Sequence, residues 1–165
     1  MRLVILTGAS GAGKTAIARA IAERHADAVS VLHFDSIGVP STAEMIAQYG
    51  SPEGWQRAKT IEWFAKLSAM SGKTLFEGQV RIAFLEEAAR LSALSNYKIV
   101  LVDCDDETRA RRLSLDRGQP ELANQTMFDW ARYLRLEAVK GGYPDLDTSL
   151  LSLEESAQRV LRYFE

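Results

Sequence analysis

Eight neighbouring residues near the amino end of the chain have the types and the spacing of a phosphate-binding loop. From position 8 they are G-A-S-G-A-G-K-T, which fits the Walker A pattern G-x-x-x-x-G-K-[ST]. Backbone N–H groups of such a loop converge on phosphate oxygens, and its glycines keep that approach open. The pattern predicts that Lys14 is catalytic and reaches the β- and γ-phosphates of a nucleotide, and that the Thr15 hydroxyl ligates Mg²⁺. The predicted nucleotide-binding residues are Gly8, Ala9, Ser10, Gly11, Ala12, Gly13, Lys14 and Thr15.

The elements on either side must hold this loop in place. Leu3-Val4-Ile5-Leu6 is an apolar run typical of a buried strand. The stretch from Thr15 to Glu23 is rich in alanine and places Ile17 and Ile21 on one face of a helix. Strand, loop and helix in this order are the setting that the motif requires. The alternative, a glycine-rich turn with a surface lysine, is disfavoured because all three features agree.

A second motif overlaps the first. Residues 11–16 also fit G-x-G-x-x-A, the dinucleotide-binding pattern, and Asp35 lies about where a ribose-binding acid is expected. That pattern should begin directly at the end of the strand, whereas Gly11 comes four residues after Thr7. It also leaves Lys14 without a role, so a nicotinamide or flavin site is the weaker hypothesis.

Composition and charge exclude several classes of protein. The 165 residues, 47% hydrophobic and 25% charged, predict one globular domain spanning 1–165. The net charge of −2 disfavours a broad nucleic-acid-binding surface. No apolar run is long enough for a membrane helix and no signal peptide is visible, so we expect a cytoplasmic protein. The lone cysteine, Cys104, excludes an internal disulfide and is predicted to be a small core residue.

Asp35 is the first candidate for acceptor chemistry. Residues 29–34 predict a second strand that ends at Asp35, which gives a βαβ unit with parallel strands. Ligands bind at the carboxyl ends of such strands, so Asp35 is predicted to orient an acceptor hydroxyl or to take its proton. The alternative is a turn or helix-capping residue. His33 points the same way as Asp35, and we expect it to be a polar core residue.

Residues 36–72 depart from the alternation of strands and helices. Ser41 and Glu44 form a capping box that begins a short helix, and Ser51-Pro52 begins a longer one. Two helices inserted between the second and third strands predict an arm that covers the acceptor. The alternative is a helical hairpin packed on the sheet, with Trp55 and Trp63 as core or surface aromatics.

The stretch Glu77-Gly78-Gln79-Val80-Arg81 follows a predicted third strand, Lys73 to Glu77. An acid at this strand end can hold Mg²⁺ through water, because Mg²⁺ prefers oxygen ligands and keeps several waters. Arg81 is predicted to bind the acceptor, since a guanidinium suits phosphate or carboxylate. Either charge could instead be solvated at the start of a helix.

An arginine-rich segment follows the fourth predicted strand, Lys98 to Val102. Phosphoryl transfer needs cations over the migrating group, so residues 109–135 predict a mobile lid that supplies them. Arg112 and Arg117 are the predicted catalytic residues, because Gly118-Gln119-Pro120 breaks the helix next to them. The alternative is a solvated charged face. The arginines of the segment are Arg109, Arg111, Arg112, Arg117, Arg132 and Arg135.

This layout resembles the nucleoside-monophosphate-kinase-like branch of the P-loop kinases, which includes adenylate, shikimate and gluconate kinases. The resemblance spans nearly the whole chain and is most specific at residues 8–15. Adenylate kinases carry D-G-F-P-R after the third strand, and residues 77–81, E-G-Q-V-R, match it in register. The resemblance implies an α/β three-layer sandwich with a five-stranded parallel sheet, which is the P-loop NTPase (nucleotide-kinase-like) fold. It also implies a helical substrate arm at 36–72 and a short lid at 109–135.

The resemblance further implies roles for individual residues. Glu77 would be the acid linked to Mg²⁺, and Arg81 would bind the acceptor. Arg112 falls where the family has an arginine that packs on the ATP base, and Arg117 falls near a phosphate-contacting arginine. The loop at 147–150 would touch the adenine.

Two departures from the family leave the acceptor open. Residues 36–72 contain no recognisable second adenylate-kinase substrate motif. Shikimate-type paired acids with two spaced arginines are also missing around Asp35. Asp35 favours a hydroxyl acceptor, whereas Arg81 suits a phosphorylated or carboxylated one.

The sequence therefore predicts an ATP-dependent kinase that uses Mg²⁺ and moves the γ-phosphoryl of ATP to a small-molecule or nucleotide acceptor. We expect a monomer or a homodimer without membrane attachment. Two alternatives remain: a P-loop ATPase or switch that acts on a partner protein, and a kinase of nucleic-acid ends.

Overall fold

Five parallel strands form one sheet at the centre of the protein, in the order β2-β3-β1-β4-β5. The computed structural model describes residues 2–165. Apolar runs at β1, β3 and β4 are buried almost throughout, as expected for strands covered on both faces. The strands are β1 (Arg2–Thr7), β2 (Val29–His33), β3 (Lys73–Glu77), β4 (Tyr97–Asp103) and β5 (Asp145–Asp147).

Helices cover both faces of this sheet. One apolar cluster joins one face to the helices of residues 42–91 and 125–141, and another joins the opposite face to the first and last helices. This arrangement confirms the predicted α/β fold with a five-stranded parallel sheet between two helical layers. The helices are α1 (Lys14–Arg24), α2 (Thr42–Tyr49), α3 (Pro52–Ser68), α4 (Ile82–Leu91), α5 (Asp106–Arg111), α6 (Gln125–Gly141) and α7 (Leu153–Arg162).

Strand β2 is one residue shorter than predicted, and Asp35 lies in a 3₁₀ turn, Phe34–Ile37, that follows it. The chain leaves the sheet here because the Phe34 side chain is buried and its carbonyl accepts a hydrogen bond from Trp63 Nε1 at 3.1 Å. Gly38 N donates to Asp35 O at 3.0 Å and closes the turn. Asp35 is thereby held just beyond the strand end and exposed.

The predicted arm is two capped helices, α2 and α3. Ser41 and Glu44 form the expected capping box, and Ser51 caps α3 at Gly54. Most of the apolar face of α3 is buried against the sheet, with Trp63 5.2 Å from Phe76 between ring centroids. The structure therefore places this segment as a helical hairpin packed on the sheet, and its acceptor-binding role stays a prediction.

The predicted lid is a helix, a π turn and a second helix. After α5 the chain makes a π turn, Arg112–Asp116, in which Arg117 N donates to Arg112 O at 3.0 Å. This i→i+5 bond brings the two arginines one turn apart, on the same face. A short 3₁₀ turn, Pro120–Leu122, leads into α6. No helix among residues 2–165 is long and apolar enough to cross a membrane.

Candidate active site

The phosphate-binding loop follows β1 and leads into α1, as the motif predicts. Gly8 has a φ of +151°, and a Cβ there would lie 2.1 Å from the carbonyl oxygen of Val102. Only glycine therefore fits between the loop and β4. Helix α1 begins at Lys14, so its free N–H groups and its positive dipole end face the inside of the loop.

Lys14 is folded into the loop and almost fully buried. Its Nζ donates a hydrogen bond to Ala9 O at 3.1 Å. Burial lowers the pKa of Lys14 to about 8, Glu77 opposes that shift and Arg109 adds to it. A buried ammonium group with a single hydrogen bond is poorly compensated, so an anion in the loop would be strongly favoured here.

Thr15 and Glu77 meet at the opening of the loop. Thr15 Oγ1 donates to Glu77 Oε1 at 3.2 Å, which places two oxygen ligands next to each other as the sequence predicts for Mg²⁺. Glu77 is buried at the end of β3, where His33 Nδ1 lies 2.6 Å from the same oxygen. His33 is half-buried rather than part of the core, so the expectation of a core histidine is wrong. The sequence feature that could have placed His33 near the site is its position two residues before Asp35, because residues two apart in a strand point the same way.

Asp35 opens onto the same cleft as Lys14, Thr15 and Glu77, a cavity of about 500 Å³. Although Asp35 is exposed overall, desolvation of its carboxyl in the cleft raises the pKa of that group, the nearby Glu77 carboxylate raises it further, and Lys14 opposes both. A raised pKa strengthens a carboxylate as a base.

Arg112 lies at the other end of the cleft, against the loop that follows β5. Its Nη1 donates to Thr148 Oγ1 and its Nη2 to Thr148 O, both at 2.8 Å. Apolar and small side chains of this loop and of α7 line the cleft beside it, namely Leu151, Leu153 and Ser156. The two leucines give this end an apolar wall, which suits a nucleoside.

Arg117 also lines the cleft, and its side chain makes no hydrogen bond or ion pair with another of residues 2–165. It is exposed at the end of the π turn, next to Asp116. The structure thus brings Arg112 and Arg117 to the cleft, while their predicted catalytic roles stay predictions. Arg19 and Asp116 line the cleft as well, and no sequence motif indicated them.

Arg81 lies apart from these residues and does not line the cleft. Its guanidinium carbon is 4.8 Å from the ring centroid of Trp130 and 5.2 Å from that of Tyr133, both on α6. Its Nε is 3.4 Å from Glu53 Oε1 on α3. Arg81 therefore bridges the arm and α6, and its predicted contact with the acceptor stays a prediction.

Two arginines of the arginine-rich segment, Arg109 and Arg135, bind Asp103, unlike Arg112 and Arg117, which line the cleft. Arg109 is fully buried, pairs with Asp103 at the end of β4 and donates to Ser10 O of the phosphate-binding loop at 2.7 Å. Arg135 on α6 pairs with the other oxygen of Asp103. Through Asp103, these two arginines connect the phosphate-binding loop and α6 to the end of β4. The sequence instead predicts that the whole of residues 109–135 is a lid. The sequence feature that could have indicated these contacts is Asp103, an acid at the end of an apolar strand.

The residues that are present fit a magnesium–nucleotide complex. Glycines open the loop, Lys14 supplies a buried cation, and the oxygens of Thr15 and Glu77 lie together. Among residues 2–165, no group of three His, Cys, Asp or Glu side chains comes together that could hold an ion alone. This sparse set suits Mg²⁺, which keeps most of its ligands as water and phosphate oxygens.

Comparisons with known proteins agree with the fold and the loop. A family model described as an AAA domain matches residues 4–129. A shikimate kinase of Leptospira biflexa is 26% identical over 174 residues, covering 98% of this chain and 94% of that protein.

Solved structures also match over nearly the whole chain. Shikimate kinase from Acinetobacter baumannii, in complex with shikimate, superimposes with a TM-score of 0.70 at 18% identity, covering 99% of this chain and 93% of that one. A gluconokinase from Sinorhizobium meliloti superimposes with a TM-score of 0.72 at 18% identity, covering 98% and 90%. At these identities the structural matches establish the fold, which is the predicted P-loop fold.

Proposed function

Because this chain belongs to the AAA-domain family whose model it matches, we propose that it transfers the γ-phosphoryl of ATP to a hydroxyl group of a small molecule. The predicted class, a P-loop kinase, is confirmed by the comparisons. ATP as the donor and a small hydroxyl compound as the acceptor are the proposed part.

One observation carries the proposal. Asp35 shares a cleft with Lys14 and with the oxygen pair of Thr15 and Glu77. A nucleotide-binding loop alone needs no such carboxylate, whereas a kinase needs a group that orients an acceptor hydroxyl. The raised pKa of Asp35 suits this task.

The chain's residues divide the reaction between them. Lys14 and the loop N–H groups hold the phosphates, and Arg112 holds the nucleoside end. Asp35 accepts the proton of the acceptor hydroxyl while the oxygen of that hydroxyl bonds to the γ-phosphorus. The bond from that phosphorus to the β–γ bridging oxygen breaks, and the electron pair leaves with ADP. Arg117 approaches from the lid and neutralises charge on the moving group.

A bound Mg²⁺ would neutralise negative charge on the phosphates during the transfer. Thr15 and Glu77 are the residues that would hold it, Thr15 directly and Glu77 through water. His33 keeps the Glu77 carboxylate in place.

The acceptor can be searched for with a panel scored by ADP release. Shikimate belongs in it because one fold neighbour is a complex with that compound, and gluconate belongs in it because another is a gluconokinase. Sugars, nucleosides and nucleoside monophosphates complete the panel. Asp35→Asn should lower the stimulated rate by about 10²–10⁴-fold and leave nucleotide affinity unchanged.

Asp27→Asn is the matched control, because Asp27 is exposed in the turn before β2, at the opposite edge of the sheet. It should leave the stimulated rate unchanged. Slow ADP release that no acceptor stimulates, and that Asp35→Asn does not alter, would overturn the proposal in favour of an ATPase or switch. Steeply salt-dependent binding of oligonucleotides would instead indicate a kinase of nucleic-acid ends.

A further inference from the structure

Gln79 is a half-buried side chain in the cleft to which the proposed reaction gives no task. It follows Glu77 by two residues and lines the cleft with Lys14 and Asp35. Its Oε1 accepts a hydrogen bond from Ser10 Oγ at 2.9 Å. The loop after β3 thus touches the phosphate-binding loop at both ends, through Glu77 on one side and through Gln79 on the other.

The backbone around Gln79 is held by three hydrogen bonds to the side chains of two residues, Gln56 and Thr7. Gln56 Nε2, on the arm helix α3, donates to Gln79 O at 2.9 Å. The same amide's Oε1 accepts from Arg81 N at 3.2 Å. Thr7 Oγ1, at the end of β1, accepts from Val80 N at 3.3 Å. A side chain on a backbone fixed in this way is oriented before any ligand binds.

The amide of Gln79 has one end occupied and one end open. With Oε1 bound to Ser10, the two N–H groups of Nε2 have no partner among residues 2–165, and the side chain that carries them lines the cleft. Phosphoryl oxygens only accept hydrogen bonds, so the open end of Gln79 matches them. A hydrogen bond to such an anion is among the stronger ones a neutral side chain makes.

The position of Gln79 identifies which phosphoryl group it meets. Ser10 belongs to the nucleotide side of the cleft, whereas Gln56 belongs to the arm on the other side. Gln79 contacts both and therefore lies at the boundary between them. In the proposed reaction the γ-phosphoryl is the group that crosses this boundary.

We propose that Gln79 Nε2 donates a hydrogen bond to the γ-phosphoryl group, with the Ser10 hydroxyl setting the orientation of the amide. This inference rests on the proposed function, since it needs a triphosphate in the loop. It assigns to this chain a contact that depends on the third phosphate and is absent for a diphosphate.

The test compares two ligands by isothermal titration calorimetry, each with Mg²⁺: ADP and a non-hydrolysable ATP mimic with an imido bridge. Gln79→Met keeps the length of the side chain and removes the amide. It should weaken binding of the mimic about tenfold and leave ADP binding within about twofold. Gln79→Glu places a negative charge beside the anion and should weaken the mimic further. Ser10→Ala should give a smaller loss in the same direction.

Gln48→Met is the matched control, because Gln48 is exposed on α2. It should change neither affinity. If Gln79→Met lowers the affinities for ADP and mimic equally, or changes neither, the inference is wrong and the proposed function stands. If the unsubstituted protein binds neither nucleotide, the proposed function itself fails and the inference falls with it.

Discussion

Replacing Asp103 with alanine should destabilise the protein strongly, although Asp103 is outside the proposed reaction. Asp103 accepts hydrogen bonds from Arg109 and Arg135 through its two oxygens. The Arg109 side chain is 0% exposed and that of Arg135 is 41% exposed. Loss of the carboxylate would leave the Arg109 charge buried with only carbonyl partners, while Arg135 could turn to water.

The size of the effect follows from this difference. Removing one partner of a buried ion pair costs about 3–5 kcal/mol, whereas an exposed partner contributes little. For a domain of this length, 1 kcal/mol corresponds to a shift of about 2–4 °C in Tm. Asp103→Ala should therefore lower Tm by about 6–20 °C.

The assay is urea unfolding followed by tryptophan fluorescence, with thermal unfolding by circular dichroism. Asp129→Ala is the matched control, because Asp129 pairs with Arg132 at 3.5 Å and both side chains are more than half exposed. It should shift Tm by no more than about 2 °C. Asp103→Asn, which keeps one acceptor, is the milder variant and should fall between the two. An Asp103→Ala protein as stable as the Asp129→Ala protein would refute the reasoning.

Three further predictions concern the cleft. Because the pKa of Lys14 is about 8 in the free protein and an anion raises it, nucleotide binding should take up a proton above pH 8, and affinity should fall about tenfold per pH unit there. Calorimetry in two buffers of different ionisation enthalpy measures this proton uptake, and the Lys14→Arg variant should take up no proton. A nucleotide affinity that does not change from pH 7 to 9.5 would contradict the prediction. Glu77→Gln should raise the Mg²⁺ concentration needed for half-maximal ADP release about tenfold, and an unshifted Mg²⁺ titration would exclude Glu77 from the metal site. Gly8→Ala should abolish nucleotide binding because its Cβ would meet Val102 O. Gly118→Ala is the control, because Gly118 also has a positive φ, +61°, but has open space around it, and this variant should retain binding. Unchanged nucleotide affinity in Gly8→Ala would show that Gly8 is replaceable.

The sequence predicted those parts of the site that depend on local spacing. The loop at residues 8–15 is defined by neighbouring residues, and the structure places it as the motif requires. Glu77 could be located because parallel strands end at one edge of the sheet. Its contact with Thr15 follows from the pairing of β1 with β3, which sets Leu6 beside Glu77.

The parts that sequence reasoning missed depend on contacts between distant segments. The sequence singled out Arg112 and Arg117, which line the cleft, but it did not indicate that Arg109 and Arg135 bind Asp103 instead. Helical periodicity alone cannot separate a buried arginine from a solvated one. Arg81 could not be placed either, because its aromatic partners on α6 lie about fifty residues away in the chain.

Gln79 was overlooked, and His33 was assigned to the core, for a related reason. An uncharged amide in a loop carries no motif, and its value comes from the Ser10 hydroxyl beside it. His33 gave a spacing signal, but its partner Glu77 lies on a different strand. Such pairs become visible only once the order of the strands is known.

The most direct test is a crystal structure with Mg²⁺ and the imido-bridged ATP mimic. We expect the triphosphate inside the loop of residues 8–15, with Lys14 Nζ moved from Ala9 O to the β- and γ-phosphate oxygens and the ion beside Thr15. An empty loop at saturating ligand, or Lys14 turned out to solvent with the nucleotide bound elsewhere, would contradict it.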